Sequence, residues 1–152
     1  MPDPVAESID RYFAAGYRCA ESVLLHVAKT HNIQSDWIPK IATGFCAGIS
    51  RMGGTCGAVS GAVMAISLFC GRNDPSVPLT DSYPPIQAFI QRFEETFGSM
   101  NCVQLIHCDL ATEDGRKKFI DENIIVTCQG YTTEAARMAL SVIDDMTGAK
   151  TS

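Results

Sequence analysis

Apolar positions recur along most of the chain at spacings of three and four, the signature of helices with one buried face. Val5, Ile9 and Tyr12/Phe13 form the first such stripe, which Gly16 stops. A second helix follows at once, with Cys19 in its first turn and Ala20, Val23, Leu24 and Val27 on its buried side. Ser35-Asp36 caps a third, with Trp37, Ile38, Ile41, Ala42 and Phe45 as the apolar face. A glycine-rich break runs from Gly48 to Thr55, and Thr55 is placed to cap an uncharged helix from about Cys56 to Phe69. Residues 73–85 hold Pro75, Pro78, Pro84 and Pro85 without periodicity, which predicts a loop inside one domain. Ile86, Phe89, Ile90, Phe93 and Phe97 form the next stripe, ended by Gly98-Ser99. Ser99 or Asn101 then caps a short helix bearing Cys102, Leu105 and Ile106. Ala135, Met138, Ala139, Val142, Ile143 and Met146 mark the last helix, which Gly148 stops. The one β-branched run, Ile124-Ile125-Val126, has no partner strand. The expectation is an all-α, single-domain bundle of five to seven helices over residues 1–152, with a central Gly/Ala-rich buried helix.

Composition narrows the function classes. The chain has 152 residues, 46% hydrophobic and 19% charged, which fits one globular domain and excludes intrinsic disorder. Its net charge is -5, and Lys and Arg form no basic stripe, so neither nucleic acid nor an anionic membrane is the expected partner. Between Arg51 and Arg72 no residue is charged. The glycines and hydroxyls within that stretch favour a buried core helix over a membrane span. The first residues show no charged segment followed by an apolar one, so the expected compartment is the cytoplasm.

Cysteine is the outlier: seven residues, an odd number, in a chain long enough to fold without staples. In a reducing compartment such a count points to metal binding or redox chemistry rather than to disulfide staples. Cys19, Cys56 and Cys102 fall at predicted helix starts, and Cys128 lies just before or within the last helix. Unpaired N–H groups and the helix dipole favour an anion there, which lowers thiol pKa values. Cys46 and Cys70 have apolar neighbours and read as buried, inert thiols; Cys108, six residues after Cys102 and so off its helix face, also reads as packing, with a peripheral partnership to Cys102 as the alternative. No Cys-x-x-Cys pair exists, so a thioredoxin dithiol, a zinc ribbon and a ferredoxin loop are disfavoured. Gly57, Gly61 and Ala65 recur every four residues, leaving a bare helix face that another helix or a bound cluster could approach. Residues 48–55 only outline a phosphate loop, with Gly54 where its lysine should stand, so no nucleotide is expected.

The segment Cys56-Gly57-Ala58-x-x-Gly61, with Cys19 in Tyr17-Arg18-Cys19-Ala20-Glu21 and Cys102 in Gly98-Ser99-Met100-Asn101-Cys102, resembles the C_GCAxxG_C_C family of redox-active proteins. Cys128 matches the family's fourth cysteine by order and distance. The resemblance implies a helical fold and four functional cysteines. It also implies a likeness to the helical part of certain bacterial multihaem cytochromes, where an iron–sulfur centre is suspected. Haem itself is not implied, because no Cys-x-x-Cys-His occurs. The leading expectation is a bacterial electron-transfer protein holding an iron–sulfur cluster, or another thiolate-bound metal such as zinc, on Cys19, Cys56, Cys102 and Cys128. Gly57 and Gly61 would let the group sit close to the backbone, and a partner redox protein would exchange the electrons. The alternatives are a metal-free thiol–disulfide protein using the same four cysteines, and a non-catalytic helical homodimer with structural cysteines.

Overall fold

The computed structural model describes residues 1–149, and over them the only regular elements are helices, with no strand. The elements are α1 (Pro4–Ala14), α2 (Cys19–Thr30), a 3-10 helix (Lys40–Phe45), α3 (Cys46–Arg51), α4 (Gly57–Cys70), a second 3-10 turn (Leu79–Asp81), α5 (Tyr83–Phe97), α6 (Cys102–Ile106), α7 (Glu113–Asp121) and α8 (Ile125–Thr147). The all-α reading holds, with α4 at the centre. That helix packs on α2, α5 and α8, and Ala58, Val59, Ala62, Ala65 and Ile66 are sealed from solvent. An apolar helix without charges fits there because other helices cover most of its sides. A methyl group on Gly61 would lie 2.6 Å from the carbonyl oxygen of Ala20, so the bare face of α4 receives the backbone of α2. Gly61 therefore leaves no room for a bound group: the approaching chain is the protein's own.

Three local expectations change. The stripe from Trp37 to Phe45 is not a buried α-helix, because Pro39 biases the preceding Ile38 away from the α region. A 3-10 turn forms after it and buries only Ala42, while Trp37 and Ile41 are 66% and 58% exposed. The proline-rich loop ends earlier than predicted, since Pro84 and Pro85 fill the first turn of α5, where a missing N–H costs nothing. Finally, the break after Phe45 is ordered. Ala47, Gly48, Ile49, Ser50 and Arg51 have φ of 56°, 64°, 61°, 54° and 70°, so the backbone winds left-handed. Such winding costs roughly 1–2 kcal/mol per non-glycine residue. Tertiary contacts hold it: Gly54 N–H donates to Gly48 O at 2.8 Å, Ser50 Oγ donates to Gly44 O at 2.9 Å, and Gly48 lies against Cys102.

A cavity lined by four cysteines

Two loops remote in sequence are joined first. Thr55 and Asn101 form an isolated antiparallel bridge. Cys56 N–H donates to Met100 O at 2.7 Å, and Cys102 N–H donates to Gly54 O at 3.0 Å. Asn101 reinforces the join, its Nδ2 donating to Gly53 O at 2.8 Å while its Oδ1 accepts from Gln104 N–H at 3.1 Å and caps α6. Cys56, the N-cap of α4, and Cys102, the first residue of α6, are thereby set side by side.

Cys19 is the first residue of α2, and its sulfur lies against Gly57. A methyl group on Gly57 would overlap that sulfur and stand 3.0 Å from Phe45 O, so only glycine fits. Cys128 lies in the first turn of α8, its carbonyl accepting from Thr132 Oγ1 at 2.6 Å. All four cysteines line one cavity of about 340 Å³, and Gly57 lines it with them. Phe13, Ile106, Leu110, Phe119 and Ile125 form apolar walls. Arg18, Arg51 and Arg116 add three cations, and Tyr131 adds a phenol whose hydroxyl donates to Leu105 O at 2.9 Å. Cys70 is elsewhere, its thiol donating to Ser82 O at 3.4 Å.

All seven cysteines are free thiols. At Cys56, Cys102 and Cys128 ionisation departs from the expectation of lowered pKa values at helix starts, because desolvation outweighs the N–H groups of the first turn. Burial pushes Cys56 up to about 11, the neighbouring charge of Cys102 adding to it and the N–H groups of Ala58 and Val59 opposing it. Burial pushes Cys128 up to about 12, with Cys56, Cys102 and Cys108 contributing. Cys102 is raised by burial and then by Cys108, and Tyr131 by burial and then by Cys56 and Cys128. At neutral pH these thiols are protonated, and they lie close enough to oppose one another's ionisation.

Of the three cysteines outside the motif, Cys108 lies near Cys102 as a peripheral partner would, and Cys46 departs from its expected inert role. Cys108, buried and donating to Gly115 O at 2.9 Å, adds its charge to the field of Cys102 and Cys128. Cys46 is buried, its thiol donating to Glu21 Oε1 at 3.7 Å and Ala42 O at 3.8 Å, and the nearness of Cys19 raises its pKa more than burial does. Sequence reasoning also missed the three arginines and Tyr131. Arg18 adjoins Cys19 in sequence, and Tyr131 follows Cys128 by three residues on one helix face, so those two were within reach. Arg51 and Arg116 arrive only through the fold.

The donor set can be tested against a metal. Among the described residues, no group of three or more His, Cys, Asp or Glu is placed to hold a metal ion. A single tetrahedral ion, with sulfur bonds of about 2.3 Å, needs its ligands gathered on one point. Here the four thiols are distributed around a cavity instead.

Comparison with known proteins gives a consistent picture. Residues 17–142 match a family described as "Putative redox-active protein (C_GCAxxG_C_C)". An uncharacterized protein of Archaeoglobus fulgidus is 30% identical over 138 residues, which cover 84% of this chain and 85% of that protein. No solved structure matches.

Proposed function

We propose that this chain, which belongs to the C_GCAxxG_C_C redox-active family, carries electrons on an iron–sulfur centre held by Cys19, Cys56, Cys102 and Cys128. One observation carries the reading: four thiols from four helix starts, remote in sequence, line a single largely apolar cavity. A multinuclear centre spreads its ligands over a body larger than one ion, which suits thiols distributed round a space better than thiols meeting at a point. Such a centre, when bound, supplies one-electron chemistry. The chain's own residues do the rest. Arg18, Arg51 and Arg116 offset the charge of four thiolates, and the aromatic and aliphatic walls limit water, both of which tune a reduction potential. Because Cys56 and Cys128 are protonated when free, loading must release their protons. The exposed apolar side chains of the 3-10 helix and α3, among them Ile41, Phe45 and Ile49, are the surface on which a partner redox protein docks.

The test is iron and acid-labile sulfide analysis of anaerobically purified, reconstituted protein, read with its visible absorption. Bound iron and sulfide, lost in Cys56→Ser, are the expected result. A colourless protein without either, after reconstitution, overturns the reading and leaves the same thiols to metal-free redox chemistry.

A further inference from the structure

Cys46 stands outside the four-cysteine motif and does not line the cavity, yet it is placed against one of the four. It starts α3, which packs on the start of α2, where Cys19 lies. Gly57 fixes the arrangement from the third side, with Cys19 Sγ and the carbonyl of Phe45, the residue before Cys46, both lying against its Cα. The two thiols are thereby brought to one corner of the fold, and the nearness of Cys19 raises the pKa of Cys46. Glu21 spans the same two segments. Its Oε1 accepts from Arg18 N–H at 3.1 Å and lies 3.7 Å from Cys46 Sγ, which donates to it, while Oε2 accepts from Thr43 Oγ1 at 2.9 Å. A thiol pair and a carboxylate acceptor thus share one corner of the site.

The two thiols differ in access. Cys19 is half-buried and faces the cavity, whereas Cys46 is only 8% exposed. That asymmetry separates an entry sulfur from a resolving one.

We infer that Cys19 and Cys46 form a reversible disulfide when the protein meets a low-molecular-weight disulfide. Cys19 attacks one sulfur of the reagent, forming a mixed disulfide and releasing the first small thiol. Cys46 then attacks the Cys19 sulfur, and its proton leaves with the second small thiol. The two protein thiols lose two hydrogens in all, and the reagent disulfide gains them as two thiols. The product removes Cys19 from the set of four, so oxidation at this corner switches the cavity from four thiols to three. This inference goes beyond the iron–sulfur reading and does not need it.

The experiment treats the full chain, stripped of metal with a chelator, with oxidised glutathione and maps it by mass spectrometry without reduction. Trypsin cleavage after Arg18, Lys29, Lys40 and Arg51 isolates each of the two cysteines in its own peptide. The expected product is residues 19–29 joined to residues 41–51 by one disulfide. In Cys46→Ser and Cys46→Ala, Cys19 accumulates instead as its glutathione mixed disulfide, close to one per chain. Linkage of Cys19 to Cys56, Cys102 or Cys128, or recovery of both thiols unpaired from the wild-type chain, overturns the inference. Iron analysis of the Cys46 variants reports separately on the iron–sulfur reading, since Cys46 is not among its ligands.

Discussion

The amide of Cys56 donates to the carbonyl of Met100 at 2.7 Å, so the loop before α4 and the loop before α6 share one backbone ladder. Asn101 is the side chain that secures the join. Asn101→Ala removes both the cap on Gln104 and the bond to Gly53. The expected cost is about 1–2 kcal/mol, seen as a lower midpoint in urea. Asn101→Asp keeps an acceptor for the cap and loses the donor to Gly53, so its midpoint should fall between the two. Equal midpoints for Asn101→Ala and wild type contradict this role for the bridge.

Two glycine substitutions should move stability in opposite directions. Gly57→Ala forces a methyl group into Cys19 Sγ and towards Phe45 O, and should destabilise by about 1–3 kcal/mol. Gly130→Ala, on the exposed side of α8 with nothing within 4 Å of the added carbon, should stabilise by about 0.5–1 kcal/mol. Chemical denaturation of both variants checks the pair.

Reduced, metal-free protein should weaken in alkali. The thiols of Cys56 and Cys128 are raised from 9.0 to about 11 and about 12 in the folded chain, so above the unfolded value the folded state holds protons that the unfolded state has lost. Their stabilising contribution is complete below about pH 9 and is lost as pH rises through the folded values. Unfolding free energy measured across that window should fall by a few kcal/mol in all. Cys128→Ala should flatten the slope. A profile as steep in the variant as in wild type assigns the loss to other groups.

Cysteine substitutions should separate the cavity from the rest of the molecule. Cys56→Ser and Cys128→Ser should abolish reconstituted iron absorption, while Cys70→Ser, at the Ser82 contact remote from the cavity, should retain it. Near-native circular dichroism in each variant ties the loss to ligation. Iron retained by Cys56→Ser removes that residue from the ligand set.

Much of the fold was legible because helix faces are local. Ala20, Val23, Leu24 and Val27, the predicted buried side of α2, are all buried, and so are Phe89 and Phe93 in α5. The helix-start positions of Cys19 and Cys102 were readable for the same reason, from caps and glycine stops. The failures are positions where a distant segment decides. Trp37 and Ile41 have helical spacing, but Pro39 disfavours helix at Ile38 and both side chains stay exposed, Lys40 Nζ lying 4.5 Å over the Trp37 ring. The left-handed run from Ala47 to Arg51 answers to Gly48 lying against Cys102, a residue more than fifty positions away that no local pattern discloses. Cys46 looked inert because its neighbours in sequence are apolar, whereas its neighbour in space is Cys19. Thiol ionisation was misjudged in the same way: the helix dipole is local, and the burial that outweighs it is not.

The placement of Cys128 on the last helix bears on how the protein matures in a cell. Cys19, Cys56 and Cys102 leave the ribosome earlier, yet the cavity lacks its fourth sulfur until α8 has been synthesised and has docked on α2 and α4. A group that needs all four sulfurs cannot be captured stepwise by the nascent chain. In the iron–sulfur reading the group is therefore inserted only after α8 has docked, which makes delivery, rather than synthesis of the first three cysteines, the step that completes the site.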